Sequence, residues 1–227
     1  MPYRALVLFD IDGTLVRRAG PHHREALVVG IRRATGLETT TDGIPVQGML
    51  DPDIITAMLR RAGARRERIR ETMPKILEAA ERHYLRVCPR LEEKHCPGVE
   101  PLLQRLTKRS VLLGLVTGNL TRIGWRKLER AGLRQYFRFG AFGEMAKTRT
   151  ALARLAIRRA RQEGWIARET PISLVGDAPP DVVAAQKNQI VSIAVSTGLT
   201  PVEELEALKP DYLLRDLGGL RLRMILE

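Results

Sequence analysis

The sequence predicts an α/β protein, a doubly wound parallel sheet with an all-helical segment between its first two strands. Three observations predict it. Short unbroken apolar runs recur along the chain and end in polar loops, the pattern of strands buried on both faces of a parallel sheet. Helical stretches separate the later runs. A long stretch with only helical patterning, residues 17–95, separates the first run from the second.

The first run, Ala5–Phe9 (ALVLF), stops at Asp10. Helical candidates follow at His23–Thr35, Asp53–Arg61 and Arg66–Val87, broken by Gly36, Gly43–Pro45, Gly63 and Pro89. Pro74 inside the third candidate marks a helix start or a kink, because its ring removes a donor and clashes with the preceding turn. Val111–Val116 (VLLGLV) resumes the sheet and feeds a helix over Leu120–Ala131, which Gly132 stops. An amphipathic helix over Thr148–Gln162 leads to the strand Pro171–Val175 (PISLV). A Pro-Pro pair precedes the helix Asp181–Lys187, and Val191–Val195 and Tyr212–Leu214 complete the sheet through right-handed crossovers. Residues 1–16 and 96–227 therefore form the sheet core, and 17–95 a small helical domain that lies as a lid over the carboxyl edge.

Composition excludes several classes. With 44% hydrophobic and 28% charged residues, neither disorder nor a fibrous repeat fits. The apolar runs are far shorter than the roughly 20 residues of a membrane helix, and no basic-then-apolar leader is visible. Cys88 and Cys96 lack the second cysteine cluster of a zinc site and are expected to be packing or linker residues. A reducing, cytoplasmic setting is expected, with no membrane partner and a monomer or homodimer as the working unit.

The net charge of +12 is unusual, with 31 Arg against seven Lys. Only Arg60–Arg70 (RRAGARRERIR) is dense, and no aromatic residue interleaves with it as in single-strand binders. A solvated basic surface is expected and nucleic acid is not, with a polyanion-binding protein on the same fold as the alternative.

The chemistry concentrates at strand ends, where open α/β sheets bind ligands. Asp10-Ile11-Asp12-Gly13-Thr14-Leu15 sends two carboxylates off the first strand, with Gly13 permitting the turn. Val175-Gly176-Asp177-Ala178-Pro179-Pro180-Asp181 places two more past a later strand. Such carboxylates at one edge repel one another unless a cation sits among them, and hard oxygen donors suit Mg²⁺. Val116-Thr117-Gly118-Asn119 supplies hydroxyl, backbone and carboxamide donors at a helix start, where phosphate is naturally held. A metal, an uncommitted carboxylate and phosphate donors together describe phosphoryl transfer through an aspartyl-phosphate.

In order and spacing, DIDGTL at 10–15, VTGN at 116–119 and VGDAPPD at 175–181 match motifs of the haloacid dehalogenase superfamily. The chain resembles its phosphoglycolate-phosphatase-like branch, which carries a helical cap. The resemblance implies a Rossmann-like core, Asp10 as nucleophile and Asp12 as general acid and base. It further implies Thr117, with Gly118 and Asn119, as phosphate ligands. Asp177 is implied as a metal ligand beside Asp10 and Asp12, with Asp181 binding directly or through water. An acid at Asp12 implies an oxygen leaving group, hence phosphoryl rather than carbon–halogen chemistry. The expected activity is a Mg²⁺-dependent phosphatase for a small phosphorylated metabolite, 2-phosphoglycolate being the default.

The motif that usually supplies a Lys departs from the pattern. Phe142–Thr150 reads FGEMAKTRT; helix register favours Arg149 in that role, with Lys147 as the alternative. Val46-Gln47-Gly48-Met49-Leu50-Asp51 resembles the loop such caps turn toward the core, making Gln47, Gly48 and Asp51 specificity candidates. His22-His23 is expected to be a capping or surface pair. A phosphomutase, or a phosphonate hydrolase using cap Lys75 or Lys94, is a further alternative.

Overall fold

The computed structural model describes residues 2–17 and 19–226. Of the residues assigned above to sheet core or insert, Met1, Arg18 and Glu227 lie outside the described residues.

Six strands form one parallel sheet: β1 (Ala5–Phe9), β2 (Val111–Val116), β3 (Phe139–Ala141), β4 (Ile172–Gly176), β5 (Val191–Val195) and β6 (Tyr212–Leu214). Their order, β3-β2-β1-β4-β5-β6, is that of a doubly wound Rossmann-like sheet. Connections leave β1 toward β2 on one side and return to β4 on the other, opening a crevice at its carboxyl end. β1, β2 and β4 are buried along their whole length, which explains their unbroken apolar sequences.

Four α-helices lie between β1 and β2, and the first three of them make up the insert: α1 (His22–Thr35), α2 (Asp51–Arg61) and α3 (Arg66–Val87). α1 ends at Gly36 in the left-handed conformation, as a glycine stop should. α3 continues through Pro74, so the proline starts no new helix. The helix holds because its apolar residues Ile69, Ile76, Ala80 and Tyr84 fall on one buried face against α1, where Ala80 meets Gly30.

The core helices are α4 (Val99–Thr107), α5 (Thr121–Arg130), α6 (Arg149–Gln162), α7 (Pro179–Lys187), α8 (Val202–Ala207) and α9 (Arg223–Leu226). α4, β3, α8 and α9 were not read from the sequence. Side chains of the insert and of the sheet share one apolar cluster, Leu27, Ile55 and Tyr84 with Phe9, Ile11 and Leu115. The six arginines of Arg60–Arg70 are all exposed. Among the described residues no helix is long and apolar enough to cross a membrane.

Candidate active site

Asp10 is the first residue beyond β1 and only 5% exposed. Its backbone N–H donates to Val175 O at 3.0 Å, which ties the end of β1 to the end of β4. Asp177 and Asp181, from beyond β4, bring carboxylate oxygens that lie with one of Asp10 within 4.8 Å of one another. Two missing side chains make room. A Cβ on Gly13, at φ +80°, would sit 2.3 Å from Asp177 Oδ2, and one on Gly198 would sit 1.7 Å from it. Thr14 Oγ1 donates to Asp177 Oδ1 at 3.1 Å, and Thr200 Oγ1 donates to its backbone carbonyl at 2.7 Å.

Burial and then the neighbouring charges of Asp10 and Asp181 push the Asp177 carboxyl well above the ordinary carboxylate range. Burial also raises Asp181, Arg149 pulling it back and Asp10 adding to the rise. Oδ1 of Asp181 is buried without a hydrogen-bond partner. A buried, oxygen-only cluster of proton-hungry carboxylates, with one oxygen that accepts no hydrogen bond, fits a hard divalent cation.

Arg149 opens α6, where Thr148 caps the helix by accepting from Ala151 N at 3.1 Å. The guanidinium, 6% exposed, donates to Asp10 Oδ1 at 3.1 Å and to Val116 O at 3.0 Å, with Nε 3.3 Å from Asp181 Oδ1. Burial works against its charge, but Asp10 and Asp181 outweigh burial and hold it protonated. Lys147 is exposed.

Asp12 is not part of the three-carboxylate cluster, although it was expected there, because other groups claim its carboxylate. Lys127 Nζ on α5 donates to Oδ1 at 2.7 Å and Oδ2 at 2.6 Å, and Asn119 Nδ2 donates to Oδ2 at 2.8 Å. The remaining 45% of the Asp12 side chain is exposed against the cavity. Desolvation alone would raise its carboxyl, but the Lys127 ammonium and these hydrogen bonds hold it below the ordinary range.

The loop after β2 is closely packed. Asn119, expected as a phosphate donor, spends its carboxamide on Asp12, on Thr117 Oγ1 at 2.8 Å and as acceptor from Lys127 at 2.6 Å. Gly118 lies under the insert: its carbonyl accepts from Asp51 N at 2.9 Å, and a Cβ there would be 2.2 Å from Met49 O. Asp51 accepts from Leu120 N at 2.8 Å and pairs with His23 Nε2 at 2.9 Å. Gln47 Nε2 donates to Thr200 Oγ1 at 2.6 Å, and Gly48 packs on Pro180. The polar groups of Gln47 and Asp51 thus join insert to core at the wall of the cavity.

That cavity, about 1020 Å³, has Asp10, Asp12 and Asp177 on its floor and Gln47, Gly48 and Asp51 in its wall. Lys75 and Lys94 are exposed and do not line it. Sequence reasoning missed Lys127 and the role of His23. Yet Lys127 shares the buried face of α5 with Ile123, Gly124 and Leu128, an anomalous place for a lysine and a usable signal. Cys96 is buried and its thiol pushed up to about 11, and Cys88 is raised by burial too, so neither is a reactive thiolate.

A family model described as haloacid dehalogenase-like hydrolase matches residues 5–188. The chain is 30% identical to the phosphoglycolate phosphatase of Synechococcus elongatus over 92% of its own length and 91% of the relative's. It is 28% identical to the phosphoglycolate phosphatase of Agrobacterium fabrum, covering 96% of this chain and 91% of that one. In fold it is similar to CbbY from Rhodobacter sphaeroides solved in complex with phosphate, with a TM-score of 0.70 and 19% identity over 97% of this chain and 98% of that one. With its strand-end carboxylates, sheet order and family match in agreement, the chain belongs to the haloacid dehalogenase-like hydrolases.

Proposed function

We propose that this hydrolase is a Mg²⁺-dependent phosphatase that cleaves a small phosphomonoester of the phosphoglycolate type through an aspartyl-phosphate, the inserted helices acting as its cap. The observation that carries the reading is the cavity floor, where Asp10 is paired with one fixed cation, Arg149, while Asp12, two residues on, faces the same space. The two curated relatives named phosphoglycolate phosphatase support the substrate class.

An Asp10 carboxylate oxygen bonds to phosphorus as the bond to the ester oxygen breaks. Asp12 gives that oxygen its proton, and the arriving dianion favours the protonated form by adding negative charge beside Asp12. In the second half, Asp12 takes a proton from water as the water oxygen bonds to phosphorus and the Asp10–phosphorus linkage breaks. Arg149 offsets the charge of Asp10 and of the phosphoryl oxygens throughout. Asp10, Asp177 and Asp181 would hold Mg²⁺, which when bound supplies further neutralisation of carboxylate and phosphate charge. Thr117 lines the same cavity and would hold a phosphoryl oxygen.

The test is a panel of phosphate esters, 2-phosphoglycolate included, assayed with Mg²⁺ and with chelator. Turnover of small phosphomonoesters that chelator abolishes supports the reading. Full activity in chelator, or no turnover across the panel, overturns it.

A further inference from the structure

A lysine ammonium sealed inside a protein costs several kcal/mol in lost hydration, and an apolar residue among Ile123 and Leu128 would avoid that cost. Lys127 is nevertheless 1% exposed. Its three protons meet three acceptors: the Asp12 carboxylate at 2.6 Å, Asn119 Oδ1 at 2.6 Å and His23 Nδ1 at 3.1 Å. The network assigns the tautomer of His23. Nδ1 accepts from Lys127, so Nε2 carries the hydrogen and donates to Asp51 Oδ2, which also takes the N–H of Leu120. Asn119 is oriented the same way, its carbonyl oxygen on Lys127 and its amide on Asp12. No proton of Lys127 is left for a ligand, so it acts only through its neighbours.

We propose that Lys127 is the positioning residue of the proton-transfer group: one buried ammonium, gripped by Asp12, Asn119 and His23, pins the Asp12 carboxylate against the cavity. The idea rests on the phosphatase reading and adds a division of labour to it. Asn119 comes from the core loop and His23 from the first inserted helix, so the hold on Asp12 is complete only with the insert docked. A lysine that merely stabilised the fold would affect all substrates alike. In the step that forms the aspartyl-phosphate, a lysine that positions Asp12 matters in proportion to how much the leaving group needs a proton, whereas the later water step is the same for every ester.

The experiment compares the Mg²⁺-loaded enzyme on 2-phosphoglycolate, an alkyl ester, and on p-nitrophenyl phosphate, whose leaving group departs without help. General acid–base catalysis is typically worth 10²–10⁴-fold, so Lys127→Met should lower kcat/KM, which reports formation of the aspartyl-phosphate, by about 10²–10³-fold on the alkyl ester. On the aryl ester the loss of kcat/KM should stay below about tenfold, while slowing of the shared water step shows in kcat for both esters alike. His23→Ala, which removes one of three acceptors, should cost about tenfold on the alkyl ester alone. It also decides the matter if Lys127→Met does not fold. Equal losses of kcat/KM on the two esters, or a wild-type kcat/KM on the alkyl ester in either variant, would overturn the proposal. Failure of the wild-type enzyme to turn over either ester would remove the phosphatase reading instead, and the proposal with it.

Discussion

Arg149→Ala probes the electrostatics of the site most sharply, because Arg149 is the only cationic side chain in contact with the three-carboxylate cluster among the described residues. At 3.1 Å from Asp10, with an effective dielectric constant of about 20, the gross attraction is about 5 kcal/mol. Desolvation returns part of that, and removing one preorganised charge-stabilising group typically costs about 3–4 kcal/mol of barrier, or 10²–10³ in rate. Arg149→Ala should therefore lower kcat/KM by that factor. Arg149→Lys should recover part of it, since an ammonium supplies the charge but not the planar fork that reaches Asp10, Val116 O and Asp181 together. Lys147→Ala, at an exposed site, should change the rate by less than about threefold. Stability should report the same loss: an unpaired buried charge costs about 3–5 kcal/mol. The deficit should grow with pH, because Asp181, which burial already pushes up, holds its proton at low pH when the cation is gone. The assay is kcat/KM on the best ester, with thermal melts across pH. A large loss at Lys147 with a mild one at Arg149, or mild losses at both, would refute the reasoning.

Asp10→Asn should abolish turnover, and metal-free Tm should rise by about 2–4 °C per kcal/mol of like-charge repulsion relieved, read by calorimetry. Asp177 and Asp181 hold protons more tightly in the folded, metal-free protein than in the unfolded chain. Their contribution to stability is full below the ordinary carboxylate pKa of about 4 and is lost as pH rises through their raised values. Metal-free Tm should therefore fall as pH rises, and added Mg²⁺ should raise Tm most at the alkaline end; a flat, Mg²⁺-independent profile refutes this. Gly118→Ala should force the segment around Met49 away from the core, at a strain of about 1–3 kcal/mol, and raise KM more than it lowers Tm.

The sheet was legible because its inner strands are buried on both faces and so are written as continuous apolar runs ending at functional residues. Asp10 and Asp177 could be placed at one crevice from that pattern alone. β3 was not legible: Phe139–Ala141 is three residues with a central glycine, too short for any period. α4 did carry a signal, Val99, Leu102, Leu103 and Leu106 falling on one helical face after Gly98. At the site, a register argument favours Arg149, because its helix runs on as Leu152, Leu155 and Ala156. The engagements of Asn119, Gln47 and Asp51 were not legible, since each depends on a partner more than 60 residues away or on a buried lysine. Composition treats lysine as a surface residue, and only its place on the apolar stripe of α5 contradicts that.

A covalent phosphoryl group on Asp10 separates this mechanism from direct attack of water on the ester. Asp12→Ala slows the water step while an aryl ester, needing no proton, still loads the enzyme. This variant, mixed with Mg²⁺ and p-nitrophenyl phosphate and quenched in acid, should carry one phosphoryl group on the peptide that contains Asp10, detected by mass spectrometry. The same peptide from Asp10→Asn should be unmodified. An unmodified Asp10 peptide from enzyme releasing nitrophenol, or a phosphoryl group on another residue, would contradict the account.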